Sequence, residues 1–200
     1  MRVALLLFDG VDLLDVGGPY EVFLTANRIC VADGDPAPFD VSLVTPRPGR
    51  LAAYGGMVLE ASATPGPSEV FVVPGTIDVA RAVADDGLLD AVRTGAAAAT
   101  DVVASVCTGA LLLAHADVLD GAPATTHHED LGELAGLIGD DRIHSARWVD
   151  AGRVVTAGGL SSGLAMALHL VDRLVSRDLA VRTAARLAYD WDPSDGVVAG

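Results

Sequence analysis

Residues 3–8, VALLLF, are apolar at every position and stop at Asp9-Gly10. A strand with one face in water alternates, so a short uninterrupted run predicts a strand buried on both faces. Residues 70–73 read the same way and run into Pro74-Gly75-Thr76, and residues 101–106, mostly apolar, read as another strand that runs into Cys107-Thr108-Gly109. Residues 39–45 alternate and close at Pro46 and Pro48, which predicts a further strand. Residues 55–60 read as a short hairpin arm, and residues 147–150 and 153–156 as a hairpin around Ala151-Gly152. Longer periodic stretches lie between the strands. One helix opens at Gly17-Gly18-Pro19, with the proline in the first turn where its missing N–H costs nothing, and runs through residues 20–32. Others are predicted over 88–98, over 110–119, over 161–175 after Gly158-Gly159, and over 178–189, before a polar, glycine-containing tail.

Strands alternating with helices predict an α/β fold: a doubly wound, flavodoxin-like sandwich with a mainly parallel central sheet. No linker, repeat or low-complexity segment divides the chain, so residues 1–200 are read as one domain. In such sheets ligands bind outside the carboxyl ends of the strands. Asp15, Gly75-Thr76, Cys107 and Gly158-Gly159 all follow strands and are expected to converge on one crevice.

Composition narrows the partners. The chain is 51% hydrophobic but only 4% aromatic, so its core is packed from Ala, Val and Leu. Its net charge is −14, and all 13 basic residues are arginine. Binding phosphate backbones or anionic lipid takes clustered cations, which excludes nucleic acid and membrane as expected partners. Two cysteines, Cys30 and Cys107, make no disulfide framework. The apolar start is broken at Asp9, too early for a leader or a span, so the chain is expected to be cytoplasmic.

Cys107 sits between a strand and a helix, with Gly109 allowing a sharp turn. That context resembles a nucleophile elbow, and the helix start beyond it favours the thiolate. The other reading is a small buried hydrophobe, which is how Cys30 is read in the body of its helix. Asp15, between Leu14 and Val16, is either a partly desolvated proton carrier or a helix cap before a glycine turn. The N–H groups of Gly75, Thr76 and Thr108 form a candidate anion nest near the sulfur. His127 is a candidate base or a structural histidine, and Gly159 and Leu160 are counted with it as pocket residues. His115 and His169 fall in helices and read as packing. No histidine or cysteine has metal-ligand spacing, so no metal and no cofactor are expected.

At LFDGVDLLDVGGPYEVF, VVPGT, SVCTGALLLA, ATTHH and RVVTAGGLSSGLAMALHLV the chain resembles the ThiJ/PfpI family of the class I glutamine amidotransferase-like superfamily. The resemblance covers nearly the whole length. It implies the flavodoxin-like fold, a homodimer, a cysteine at the elbow and an acidic partner from the first loop, and Cys107 and Asp15 match those positions. Within the family the Cys-Thr-Gly elbow with a first-loop aspartate is similar to the isocyanide hydratase branch. That implies a lyase which adds water to a small electrophile through Cys107. Thr108 stands where the peptidase-like branch has histidine. Asp15 stands where the glyoxalase and deglycase branch, acting on methylglyoxal, generally has glutamate. Thr76 departs from the glycine usual in isocyanide hydratases. The sensor domains of AraC-type regulators share the Cys-Thr-Gly and Ala-Thr-Thr-His features, so the alternative class is a small-molecule or redox sensor in which peroxide oxidises Cys107 before Cys30.

Overall fold

A computed structural model describes residues 1–199. In chain order the elements are β1 (Arg2–Leu6), α1 (Leu13–Asp33), β2 (Asp40–Val44), β3 (Gly49–Ala52), β4 (Val58–Ala61), β5 (Ser68–Val73), α2 (Val79–Val83), α3 (Asp86–Ala98), β6 (Ala99–Val106) and α4 (Gly109–His115). They continue as α5 (Leu131–Ile138), β7 (Trp148–Ala151), β8 (Val154–Ala157), α6 (Ser162–Leu174), α7 (Arg177–Arg186) and β9 (Val197–Val198).

Seven strands form the central sheet in the order β2-β1-β5-β6-β8-β7-β9, and β3 pairs with β4 in a separate antiparallel arm. Within the large sheet only β7 and β8 pair antiparallel. Helices α1, α6 and α7 pack together on one face, and α2 to α5 cover the other. Burial on both sides explains why β1, β5 and β6 are mostly apolar through their buried stretches, Val3–Leu6, Val70–Val73 and Val102–Val106. The core is built from Val, Leu and Ala, with Phe23, Phe71 and Trp148 as its largest fully buried members. This is the flavodoxin-like α/β architecture the hydrophobic pattern predicts.

Several boundaries differ from those expectations. Helix α1 starts at Leu13, not at the Gly-Gly-Pro, because Asp12 caps it with Oδ1 accepting the Leu14 N–H at 3.1 Å. Pro19 therefore lies inside the helix, where it gives no donor to the Asp15 carbonyl. This early start places Asp15 in the first helical turn. Helix α4 ends at His115, since Asp117 turns left-handed at φ +58°. The arm begins at Gly49, and the chain reverses through Gly55 and Gly56, both at positive φ. Helices α2 and α5 and strand β9 carry too few periodic positions to predict. His169 is a packing residue, stacked on Trp148 with centroids 3.8 Å apart and its Nε2 2.7 Å from Asp150 Oδ2. Arg173 completes that cluster with 3.0 Å contacts to both Asp150 oxygens.

Candidate active site

Four strand ends of the sheet, those of β1, β5, β6 and β8, meet at Cys107. The residue leaves β6 with φ +55°, a conformation that L-residues with a side chain adopt rarely. Local hydrogen bonds hold it there. Its N–H is shared between the carbonyls of Ala157 (3.1 Å) and Gly158 (3.0 Å), and its carbonyl accepts from Thr126 Oγ1 at 2.9 Å. Gly109 follows because a Cβ there would collide with the Val73 carbonyl oxygen. The elbow thus requires Gly109 by contact and not by backbone freedom, since Gly109 is the first residue of α4 and the left-handed residue is Cys107.

Thr108 has a separate task. Its Oγ1 donates to Thr76 O at 2.7 Å and accepts from Thr76 N–H at 2.8 Å, clipping the elbow to the end of β5. The Thr76 hydroxyl turns away from the pocket to donate to Gly10 O at 2.8 Å, which pins the β1–α1 loop. We predict that Thr108→Val strands a buried donor and acceptor on Thr76 and costs about 1–3 kcal/mol in urea unfolding.

Asp15 is fully buried, and it is not the helix cap, since Asp12 fills that place. Its Oδ2 accepts the Gly75 N–H at 3.0 Å, and its Oδ1 is buried without a hydrogen-bond partner. Gly75 has to be glycine here, since a Cβ would lie 2.6 Å from Thr108 Oγ1 and 2.8 Å from Asp15 Oδ2. Burial pushes the Asp15 carboxyl up to about 7, the Gly75 N–H draws it down, and the Asp12 charge raises it again. Contact with the Cys107 thiol lowers it slightly.

The thiol responds in turn. Burial first, and then the Asp15 charge, push Cys107 up to about 12, against the opposing pull of the Thr108 and Leu160 N–H groups. The expected low-pKa thiolate is therefore corrected. A 7% exposed sulfur beside a carboxylate loses more from desolvation and like charge than the start of the seven-residue α4 returns. As pH rises through about 7 the pair passes from two protons to one, which thiol and carboxylate then share.

The donor set also differs from the expected nest. Gly75 N–H serves Asp15 and Thr76 N–H serves Thr108, so Thr108 and Leu160 are the backbone donors that face the sulfur. Leu160 reaches it from a left-handed turn at φ +43°. His127 does approach the crevice. Its ring lies against Gly159, where a Cβ would strike it, and its Nδ1 accepts the Glu129 N–H at 3.4 Å. A pocket of about 180 Å³ opens above the sulfur, lined by Cys107, Thr108, Thr76, Ile77, His127 and Leu160, with Asp12, Glu129 and Asp130 on its walls. Asp12, which caps α1, and Thr126, which holds the Cys107 carbonyl, lie inside the quoted motifs but were given no role from the sequence.

Among the described residues one group of metal-ligand type comes together: atoms of His127, His128 and Glu129 lie within 4.8 Å of one another. All three are consecutive, His128 and Glu129 are exposed, and the His127 Nδ1 is already committed to a backbone donor. No described helix is long and apolar enough to cross a membrane.

The raised Asp15 value has a consequence for stability. Folded Asp15 holds its proton more tightly than an ordinary aspartate at 3.8, so its stabilising contribution is full below that pH and is lost as pH rises through about 7. Asp15→Asn keeps an acceptor for Gly75 and removes the buried charge. We expect its Tm to exceed that of the unsubstituted protein at pH 8, with the gap narrowing toward pH 5 in thermal melts. A lower Tm at pH 8 would contradict the burial argument.

An αβα sandwich with a cysteine at a strained elbow and a buried acid from the first turn defines a class of protein. Residues 1–173 match the DJ-1/PfpI family, and the chain belongs to it. It is similar to the isonitrile hydratase of Pseudomonas putida, isonitrile being a synonym of isocyanide, with 32% identity over 195 residues that cover 94% of this chain and 78% of that protein. Among solved structures it resembles a ThiJ/PfpI family protein from Pseudomonas syringae, with TM-score 0.82 and 26% identity over 96% of this chain and 76% of that one. It also shares the fold of an AraC family transcriptional regulator from Pseudomonas putida, with TM-score 0.73 and 20% identity over 93% and 98% of the two chains.

Proposed function

We propose that this protein is an isocyanide hydratase-like lyase, converting R–N≡C and water to R–NH–CHO. The observation that carries the proposal is the buried Asp15 carboxyl, raised to about 7, against the Cys107 thiol. The relative named isonitrile hydratase supports the same reading.

The reaction adds a proton and a nucleophile to one carbon. The Cys107 proton passes to Asp15 as sulfur attacks the isocyanide carbon, and Asp15 returns that proton to the same carbon. The product is a thioimidate, R–N=CH–S–Cys107. Ionised Asp15 then takes a proton from water, whose oxygen adds to the thioimidate carbon. Asp15 passes that proton to nitrogen, the C–S bond breaks as the C=O forms, and the remaining hydroxyl proton goes to sulfur, which restores the thiol as the formamide leaves. A carboxyl near 7 suits both directions of transfer, since it gives and takes a proton at similar cost. Splitting the hydration into two steps through a covalent adduct is the service a cysteine provides. The Thr108 and Leu160 N–H groups hold charge that develops on sulfur. No cofactor enters this scheme.

The pair works when it carries one proton. With two protons no base faces the thiol, so kcat/KM is expected to rise with pH through about 7. Asp15→Asn removes that rise along with most of the activity. The reading is tested by following formamide from an aryl isocyanide, with methylglyoxal run in parallel. Formamide production supports it, and turnover of methylglyoxal alone replaces it with the glyoxalase reading. A redox-sensor role fits less well, because peroxide attacks accessible thiolates, and Cys107 is neither exposed nor easily ionised.

A further inference from the structure

Beside the pocket over Cys107 lies a second cleft of about 350 Å³, and the two share His127 and Leu160 as walls. We propose that this second cleft is the subsite for the part of the substrate remote from the reacting carbon. It selects uncharged substituents that carry a hydrogen-bonding group, and His127 is its movable wall. The proposal takes from the reading above only that the reacting carbon sits at Cys107.

Three observations carry it. First, the cleft's lining differs from that of the pocket beside it. Asp12, Glu129 and Asp130 stand on the walls of the pocket, whereas no carboxylate lines the second cleft in a chain of charge −14. Second, Ser145, Ser161 and Ser162 line the cleft, Ser145 and Ser161 exposed and Ser162 half-buried, and their hydroxyls make no hydrogen bond to protein among the described residues. The neighbouring threonines are committed: Thr125 Oγ1 donates to Ala146 O at 3.3 Å and Thr126 Oγ1 to Cys107 O at 2.9 Å. The serines are thus the groups left to recognise a ligand, and each can donate and accept. An uncharged polar group matches them without facing an opposing charge.

Third, the wall is a side chain and not backbone. The His127 ring rests on Gly159, fills the space a Cβ would take there, and stacks against His128 with centroids 4.3 Å apart. Its polar contacts all fall on one ring nitrogen, Nδ1: the Glu129 N–H at 3.4 Å and the carboxylates of Asp130 at 3.5 Å and Glu129 at 3.7 Å, so a rotation that gives up this one set joins the two spaces. A pocket of about 180 Å³ is small for a reacting group with a long substituent, and the adjoining cleft supplies the extra room.

The test uses alkylation of Cys107, so it requires no turnover. N-butyl iodoacetamide and N-(3-hydroxypropyl) iodoacetamide have the same warhead and nearly the same length, and differ by a terminal methyl against a hydroxyl. In both cases an S–C bond forms, iodide leaves, and the thiol proton passes through Asp15 to solvent. Rates at Cys107 are read by peptide mass and divided by rates at Cys30 in the same chain, which cancels intrinsic reactivity. The hydroxypropyl reagent is expected to be favoured at Cys107 by about fivefold, the worth of one hydrogen bond. The preference is expected to vanish when Ser145, Ser161 and Ser162 are together replaced by alanine. His127→Ala is expected to raise both long reagents relative to iodoacetamide by about tenfold. Equal normalised rates for the two long reagents, or a preference that survives loss of the serines, would overturn the subsite. An unchanged ratio of long to short reagents in His127→Ala would overturn the wall. Protein that shows the expected pattern and makes no formamide keeps the subsite and loses the proposed reaction.

Discussion

Cys107→Ala is expected to leave the fold intact and to reduce formamide production by on the order of 10⁴-fold or more, the scale on which enzymes lose activity with their nucleophile. The fold survives because Cys107 packs through a single sulfur, while its backbone is held by Ala157, Gly158 and Thr126. Removing the sulfur also removes a contact that lowers the Asp15 value, so the carboxyl should titrate higher, set by burial, the Gly75 N–H and the Asp12 charge. Cys107→Ser separates chemistry from packing. The hydroxyl fits the space, yet it is a much weaker acid and nucleophile than a thiol, so activity is expected to be lost as fully as in the alanine variant. Substantial turnover in either variant would show that the reaction proceeds without a covalent sulfur adduct.

Gly109→Ala is expected to be among the most damaging single methyl groups in the molecule. A Cβ at the start of α4 meets the Val73 carbonyl oxygen, with Pro74 C and O both at 3.0 Å. These are backbone atoms at the end of β5, and they cannot swing aside as a side-chain tip does. Overpacking a core typically costs about 1–3 kcal/mol, and contact with backbone places this site at or above that range. For a chain of this size that corresponds to a fall in Tm of about 10 °C. Gly136→Ala is the control. It lies within α5 with nothing near its Cβ position, so the substitution is expected to be neutral or to stabilise by up to about 1 kcal/mol. Similar melting temperatures for the two variants would remove the close approach at Gly109 as the reason for its presence.

Much of this was readable in the chain because its local rules agree with the fold. The uninterrupted apolar runs at β1 and β5 and the mostly apolar run at β6 announce strands covered on both faces. The breaks after them, at Asp9-Gly10, Pro74-Gly75 and Cys107-Thr108-Gly109, mark the end of the sheet where the site lies. What could not be read is set by tertiary geometry. Asp12 and Asp15 look equally suited to cap a helix, and only the start of α1 assigns the cap to Asp12 and the buried position to Asp15. The tuning of Cys107 was misjudged because a helix start is visible in sequence, whereas burial and a carboxylate from another strand's loop are not. The donors moved from Gly75 and Thr76 to Leu160 for a similar reason. Gly75 and Thr76 are already paired across the crevice, and Leu160 arrives from β8, some fifty residues further along the chain.

The most direct test of the account is the intact mass of the protein quenched in acid during turnover of an aryl isocyanide. A gain of one isocyanide per chain, located at Cys107, is expected; it decays as N-aryl formamide appears and forms far more slowly in Asp15→Asn. Formamide formed with no adduct at Cys107, or an adduct that persists while formamide is released at the full rate, would contradict it.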